Sequence, residues 1–298
     1  MQLFPTGSRE LWVKLWQGAR ENSPMIRRRC RSEKEMVDNW NRSAQWFTQR
    51  TGNAKGRERQ RSVLALLEQE GALGPGGKVL DIGAGPGNYA IPMARLAGQV
   101  TALEPAVEMV RILEDRASAE QVKNINIIQR TWQEVRMEED GLAGRFDLVF
   151  ASMTPGVQDP ETLKKMIAAS RGFCYYSAFS GQRWGQAYRD LWPRFFSEDI
   201  GDNPGDIIYP FGLLYAMGYR PSLRFVAYQQ VQEEPAEEAI ENLLRFFWSY
   251  IDITPAVRQV VEEYVKEHAK GGIFRQETNF CHGMMLWRVD YDQTHHAE

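Results

Sequence analysis

The chain of 298 residues contains few of the residues that build disulfide frameworks and metal centres. It has three cysteines (Cys30, Cys174 and Cys281), which lie far apart without a C-x-x-C pair, and only four histidines. Three separated cysteines argue against a disulfide framework or a zinc site and favour a reducing compartment. We therefore expect no metal ion, and we expect a cytoplasmic protein.

The chain also lacks a charge excess and a long apolar segment. Thirty-six basic residues face 39 acidic ones, so no overall field favours nucleic acid or an anionic membrane as a partner. No apolar run approaches membrane-spanning length, and the charged N-terminal segment predicts no signal peptide. One local exception is a basic cluster at Arg27, Arg28, Arg29 and Arg31, which either contacts an anionic ligand or forms a solvated helix face.

The middle of the chain alternates short apolar runs with amphipathic segments, which predicts a mostly parallel sheet with helices on both faces. We predict helices at 88–97, 106–118 and 160–170, and an irregular piece at 131–137. The predicted strands are 78–82, 99–103, 125–129, 146–151 and 173–178.

The two ends of the chain have a helical pattern. Ser32 and Glu35 fit a capping box that opens an amphipathic helix. After residue 181 we predict helices at 184–196 and 207–218, a sixth strand at 222–231, two further helices, and a last strand at 280–289. The predicted division is a helical lid at 1–75, a nucleotide-binding core at 76–182, and the rest of the sheet with helical insertions on the substrate side at 183–298.

The most informative segment is the run from Asp81 to Ala90, with sequence DIGAGPGNYA. It joins a predicted buried strand to a predicted helix, which places backbone N–H groups at the carboxyl end of a sheet. Its glycines permit positive φ and let a ligand approach the backbone. Glu104 ends the next strand at about the distance where nucleotide folds place a ribose-binding acid.

This D-x-G-x-G-x-G pattern has Asn88 where a dinucleotide-binding fingerprint has its third glycine, and it resembles motif I of the class I S-adenosylmethionine (SAM) dependent methyltransferases. The resemblance implies a Rossmann-like sheet of seven strands whose last strand is antiparallel. It also implies SAM as cofactor and S-adenosylhomocysteine (SAH) as product.

The resemblance implies roles for specific residues. Glu104 would accept both ribose hydroxyls, although a capping role remains open because Pro105 suits the first position of a helix. Asp81 would orient the loop and favour the positive charge of the cofactor. The full predicted cofactor set is Asp81, Gly83, Ala84, Gly85, Gly87, Asn88, Glu104, Pro105, Met109, Thr131, Trp132, Ser152 and Met153.

After the third strand the chain departs from the family pattern. Thr131 and Trp132 stand where the family usually has an acid followed by a small residue. Trp132 would lie against the purine, or it would be a core residue. The N-P-P-Y signature of enzymes that methylate exocyclic amines of DNA bases or glutamine side chains is absent after the fourth strand.

Aromatic residues dominate the segments predicted to cover the substrate. Their faces suit a sulfonium or a cationic substrate, and we expect only two or three of them to touch ligand. The predicted substrate-binding residues are Trp40, Trp46, Thr154, Trp184, Tyr188 and Tyr209.

These features predict a methyltransferase that acts on a small molecule at O, N, S or C. The residues identify no catalytic group; His268 and His282 are the candidates if a general base is needed. Three alternatives remain: a protein or RNA methyltransferase, a nicotinamide-dependent oxidoreductase, and a SAM-binding regulatory protein without turnover. Neither the acceptor nor the oligomeric state, monomer or homodimer, follows from the sequence.

Overall fold

A computed structural model describes residues 8–290. The strands are β1 (Lys78–Ile82), β2 (Gln99–Leu103), β3 (Ile125–Ile128), β4 (Phe146–Ser152), β5 (Ser170–Phe179), β6 (Ser222–Pro235) and β7 (Ile273–Arg288). The helices are α1 (Arg9–Glu21), α2 (Pro24–Arg27), α3 (Glu33–Thr51), α4 (Ala54–Gln69), α5 (Ala90–Leu96), α6 (Val107–Ala119), α7 (Pro160–Ala169), α8 (Gln186–Phe196), α9 (Ile208–Ala216), α10 (Ala236–Phe247) and α11 (Pro255–His268).

The strands form one seven-stranded sheet in the order β3-β2-β1-β4-β5-β7-β6. Strands β1 to β5 pair in parallel, and β7 pairs antiparallel with both β5 and β6. The predicted fold class, with its antiparallel last strand, is confirmed. All five parallel strands end at the same edge, so the residues that follow them meet there.

Helices cover both faces of the sheet because the parallel strands are apolar on both sides. On one face, α1, α7 and α9 pack in a cluster that includes Trp16, Leu163 and Leu213. On the other face, α4, α5 and α6 contribute Leu67, Met93 and Leu113. Of the N-terminal helices, therefore, α1 and α4 belong to the two layers of the sheet.

A separate cluster lies beyond the carboxyl edge. It joins α8, α10 and α11 through buried residues such as Trp192, Phe247 and Val261. Hydrogen bonds connect it to the segment between α2 and α3: the Cys30 N–H donates to the Ser249 carbonyl over 3.1 Å. The insertion between β6 and β7 and the N-terminal segment therefore meet above the sheet.

Strands β6 and β7 are longer than predicted. Only residues 282–288 of β7 pair with β5, whereas β6 and β7 pair with each other over their whole length, from Ser222 with Leu286 to Pro235 with Ile273. The outer part of this ribbon has a polar sequence with no strict alternation, because neither of its faces is covered by a continuous core.

Local signals set several helix ends. The predicted capping box is present: Ser32 Oγ accepts from the Glu35 N–H at 3.3 Å, and Glu35 accepts from the Ser32 N–H at 2.8 Å. Helix α6 begins at Val107 with Ala106 as its N-cap residue, so Pro105 precedes the helix. Within residues 8–290, no helix combines the length and apolar character needed to cross a bilayer.

Candidate functional site

The glycine turn after β1 depends on backbone conformations that other residues rarely adopt. Gly83, Gly85 and Gly87 have φ values of +73°, +55° and +81°. A Cβ at Gly83 would overlap the Thr154 side chain, and one at Gly87 would lie 3.0 Å from Ile91 and Leu113. At Gly85 the nearest atom would be a ring carbon of Phe47 at 3.9 Å. The turn is thus tightly packed at both ends and open above its middle.

Asn88 fixes the turn through its side chain. Its Nδ2 donates to Thr51 Oγ1 at 2.9 Å, and its Oδ1 accepts from Arg116 at 3.0 Å. Gln60 donates to the Asn88 carbonyl. Because both ends of the amide are engaged, the Asn88 side chain joins α3 to α6 at the turn, while its backbone carbonyl contacts α4.

Glu104 lies directly beneath the turn with only 7% of its surface exposed. One carboxylate oxygen accepts from the Gly85 N–H and the other from the Ala106 N–H, each at 2.9 Å. Burial raises the pKa of this carboxyl, while the two N–H bonds oppose the rise. Each oxygen keeps a second lone pair, so capping α6 and accepting a ligand hydroxyl are compatible roles.

Asp81 is the second buried carboxyl at this edge. One of its oxygens, Oδ2, is buried without a hydrogen-bond partner. Burial, and after it the repulsion of Glu104, raises the Asp81 pKa to about 8. A buried oxygen without a partner is unfavourable, and a positive group bound nearby would lower the pKa and satisfy the oxygen.

The carboxyl ends of β4 and β5 carry a short polar row. Ser152 Oγ lies 3.0 Å from Ser177 Oγ, within hydrogen-bond distance. Met153 follows with φ of +53°, an uncommon conformation for a residue with a side chain. Its N–H donates to the Ser177 carbonyl at 2.9 Å, which fixes the backbone turn leading to Thr154 and Gly83.

The residues after β3 do not all follow the prediction. The Trp132 ring is 1% exposed; its Nε1 donates to the Thr162 carbonyl at 3.1 Å, and the Lys165 ammonium lies 5.2 Å from the ring centre. The stacking of Trp132 on a purine is therefore corrected to a core role, because α7 encloses the indole. Thr131 Oγ1 hydrogen-bonds to Glu134 at 2.9 Å, so it stabilises the turn after β3.

Helix α3 lies over the glycine turn. Trp40 and Phe47 make an edge-to-face contact with ring centres 5.6 Å apart, and both pack on Met109 and Ala106 at the start of α6. The Glu108 N–H donates to Asn41 at 3.1 Å. Met109 is 2% exposed, so it joins α3 to α6 beneath the turn.

The other predicted substrate residues occupy two places. Trp184 and Tyr188 lie at the edge of the α8–α10 cluster, where both contact Phe246. Trp46 lies between the guanidinium groups of Arg50 and Arg245. Tyr209, in α9, is partly buried against the cluster that also holds α1 and α7, and its substrate role stays a prediction.

The two histidines differ in setting. His268 ends α11, and its Nδ1 lies 2.7 Å from the Tyr264 carbonyl. His282 is paired with the last residue of β5, Phe179, and its Nε2 lies 3.2 Å from the Tyr228 hydroxyl. Burial and the nearby Arg59 lower the His282 pKa to about 4. Among residues 8–290 there is no group of three His, Cys, Asp or Glu side chains that could hold a metal ion.

Sequence reasoning missed Arg183, which follows β5. Its guanidinium lies 5.0 Å from the ring centre of Phe179 and 4.5 Å from that of Trp184. These aromatic faces are therefore already occupied by a protein cation, which argues against the expectation of a cationic substrate there. Arg183 has no sequence signal of its own, because its neighbours in space come from distant segments.

The fold and this edge define a class I methyltransferase architecture. The chain is similar in fold to a Bacillus halodurans C-125 protein provisionally described as a methyltransferase, at 14% identity and TM-score 0.51, over 76% of this chain and 99% of that one. It is also similar to YcgJ of Bacillus subtilis, at 13% identity and TM-score 0.50, over 76% of this chain and 98% of that one. A third similar structure is the magnesium protoporphyrin IX methyltransferase of Synechocystis PCC 6803 with bound SAH. It is 16% identical with a TM-score of 0.52, and the match covers 65% of this chain and 91% of that one.

Residues 79–172 match the family described as methyltransferase domain. This segment runs from β1 into β5 and contains the glycine turn and Glu104. The predicted resemblance to methyltransferases is thus confirmed for this segment. No curated protein matches the chain.

Proposed function

We propose that this protein is a SAM-dependent methyltransferase that transfers a methyl group to a small-molecule acceptor by in-line displacement. The observation that carries the proposal is the open glycine turn above a buried carboxylate, Glu104, whose two oxygens already meet the turn and the start of α6. This arrangement presents backbone N–H groups and an anionic acceptor to one ligand. The predicted cytoplasmic location stays a prediction.

The residues at this edge fit the chemical groups of SAM. The open space above Gly85 admits the methionine part close to the backbone, where a side chain would obstruct it. Glu104 keeps the lone pairs needed for the two ribose hydroxyls. The Asp81 oxygen without a partner suits the positive charge of the ligand. The backbone of Thr131 and Trp132 follows β3 at the position proposed for the adenine.

The segments that cover the carboxyl edge of the sheet favour a small molecule as the methyl acceptor. Helix α3 covers the glycine turn, and Arg50 of α3 reaches the outer ribbon through a 2.9 Å hydrogen bond to Gln232. Arg31 binds both the Trp248 carbonyl and Asp252 of the insertion. Two separate segments thus meet over the crevice, which limits the size of the acceptor and excludes water from the reacting atoms.

Bound SAM supplies a methyl group that is already activated for transfer. The protein then mainly positions the acceptor in line with the methyl carbon, an effect worth about 7–11 kcal/mol when the geometry is right. An acceptor that must lose a proton needs a base. His282 is the proposed base because it lies beside the end of β5; its pKa, lowered to about 4 by burial and by Arg59, leaves the imidazole neutral at pH 7 but only weakly basic.

Calorimetry tests the cofactor assignment. We expect SAM and SAH to bind in the micromolar range, about −8 kcal/mol, and NADH to bind much more weakly. Tight binding of NADH without binding of SAM would contradict the proposal.

Incubation with methyl-labelled SAM and fractionated cell extract separates the alternatives. Label in low-molecular-weight products supports a small acceptor, and label in protein or RNA supports a macromolecular one. SAM binding without transfer to any fraction indicates a regulatory protein. A matched reaction with heat-treated enzyme controls for non-enzymatic methylation.

A further inference from the structure

Three arginine side chains converge near the carboxyl end of β5. Arg183 follows the strand, Arg29 lies between α2 and α3, and Arg20 lies in the last turn of α1. Burial is the largest cause that lowers the pKa of Arg20 and of Arg183, and repulsion from the nearby Arg29 adds to it in both. Like charges at this range repel one another, so the arrangement is unfavourable unless something compensates it.

The same short basic run provides a contrast. Arg27 and Arg28 form ion pairs with Glu198 at 2.9 and 2.6 Å, and Arg31 forms one with Asp252 at 2.7 Å. Between residues 8 and 290, no ion pair within 4.0 Å involves Arg29, Arg20 or Arg183. Burial raises the pKa of the neutral Tyr250 hydroxyl, and the nearby Arg29 and Arg183 oppose that rise.

The carboxylates in this neighbourhood also accept backbone N–H groups. Asp159 affects Arg20, but it caps α7 by accepting the Thr162 N–H at 2.8 Å. Asp206 affects the neighbouring Tyr176, and it accepts the N–H groups of Gly181 and Ile208. Asp159 is thus the one carboxylate among the causes for Arg20, and no carboxylate is among those for Arg183.

Arg183 is exposed to solvent just beyond the end of β5. Phe179 and Trp184 hold the guanidinium on its flanks by cation–π contacts.

Arg183 lies on the same carboxyl edge of the sheet as the glycine turn. Phe179 ends β5, and Ser177, two residues earlier, pairs with Ser152 at the end of β4. The chain then turns through Met153 to Thr154, which contacts Gly83 of the glycine turn. A small molecule extending from the glycine turn along this edge would place its far end among the three arginines.

We infer that the acceptor carries an oxyanion group, a carboxylate or a phosphate, and that Arg183 binds it together with Arg29 and Arg20. The inference rests on the proposed function, because it places the acceptor beside the SAM site. Guanidinium groups suit this task because they bind carboxylate and phosphate oxygens through two parallel N–H bonds. The aromatic residues around them would contact the apolar body of the same molecule.

The test uses simple probes, since the acceptor itself is unidentified. Benzoate, phenyl phosphate and benzamide share an aromatic ring and differ in the group attached to it. Their affinities are measured by calorimetry at constant ionic strength on the full chain saturated with SAH. The variants are Arg183→Gln and Arg29→Gln, and the matched control is Arg27→Gln, which removes an ion-paired arginine from the same basic run.

We expect the wild type and Arg27→Gln to bind one of the two anions at least about tenfold more tightly than benzamide. Whichever anion binds more tightly identifies a carboxylate or a phosphate acceptor. Arg183→Gln should lose about tenfold of that preference, and Arg29→Gln should lose a smaller part. Thermal melts check that each variant is folded.

Wild-type protein with no preference for either anion over benzamide overturns the inference, as does an equal loss in Arg27→Gln and Arg183→Gln. SAM affinity is measured on the same samples. If SAM binds and the anion preference is absent, this inference fails alone. If SAM does not bind the wild type, the proposed function fails with it.

Discussion

Replacing Glu104 tests the candidate site most directly, because this residue has a structural role and a proposed ligand role. In Glu104→Ala, the N–H groups of Gly85 and Ala106 lose their acceptor in a buried setting. In Glu104→Gln, the amide oxygen can keep one of these bonds, while its NH₂ group faces the other donor. The alanine variant is therefore expected to be the less stable of the two.

The magnitude follows from opposing effects. A buried N–H without a partner costs about 1–3 kcal/mol, so two of them would cost about 2–6 kcal/mol. Removing the carboxylate also removes a desolvated charge that repels Asp81, which offsets part of this loss. We expect a net decrease of about 1–3 kcal/mol in the free energy of unfolding of the ligand-free protein, measured by urea denaturation.

Loss of the ribose contact adds a second effect that appears only with ligand. Charge-assisted hydrogen bonds contribute about 1.5–3 kcal/mol, so calorimetry should show SAM binding weakened by about 10- to 150-fold. Asp147→Ala is the control, since Asp147 accepts the Lys78 N–H at 2.8 Å at the opposite edge of the sheet. That variant should keep wild-type affinity for SAM.

Wild-type SAM affinity in Glu104→Ala, with reduced stability, would show that Glu104 is a cap and nothing more. Unchanged stability and unchanged affinity would refute the reasoning from buried hydrogen bonds altogether.

Three further perturbations follow from the same edge. Folding raises the Asp81 pKa from 3.8 to about 8. The contribution of the protonated carboxyl to stability is therefore complete below pH 4 and is lost as the pH rises towards 8, on the order of 1 kcal/mol per pH unit. Asp81→Asn should flatten this decline in thermal melts between pH 5 and 8.5, and an unchanged slope would contradict the expectation. Gly83→Ala places a side chain at a φ of +73° and against Thr154, so it should lower both stability and SAM affinity. The control Gly141→Ala, at a φ of +62° with nothing within 4 Å, should lose only about 1–2 kcal/mol of unfolding free energy. Equal effects of the two variants would argue against the close approach of Thr154 to Gly83. Phe47→Ala removes the ring nearest the open middle of the turn and should slow methyl transfer from labelled SAM with little change in melting temperature, and a wild-type rate would show that α3 is no lid.

The parallel core was predictable from the sequence because each of its strands is a short apolar run between turn signals. β1 and β2 have the predicted bounds, and the residues after them, Asp81 to Gly87 and Glu104, meet as expected. Because parallel strands end at the same edge of a sheet, the residues that follow them are expected to lie close together. The site residues on these turns therefore needed no tertiary information to be placed together.

The remaining features depend on contacts between distant segments. Trp132 is a core residue because Thr162 and Lys165, about thirty residues later, enclose it, and nothing in its local sequence encodes that. Arg27 and Arg29 are indistinguishable in sequence, yet only Arg27 finds an acidic partner, Glu198. Sequence thus locates a basic run, whereas only the fold shows which of its charges stays available.

The long β6–β7 ribbon has two parts that differ in how they are held. Its inner part is fixed by pairing with β5, while its outer part, Tyr228 to Pro235 opposite Ile273 to Phe280, carries α10 and α11 beyond the sheet. Insertions or replacements in this outer module would reshape the acceptor chamber without disturbing the strand ends that frame the glycine turn. A chimaera that exchanges only residues 236–272 should therefore change which compound is methylated while retaining the same methyl donor.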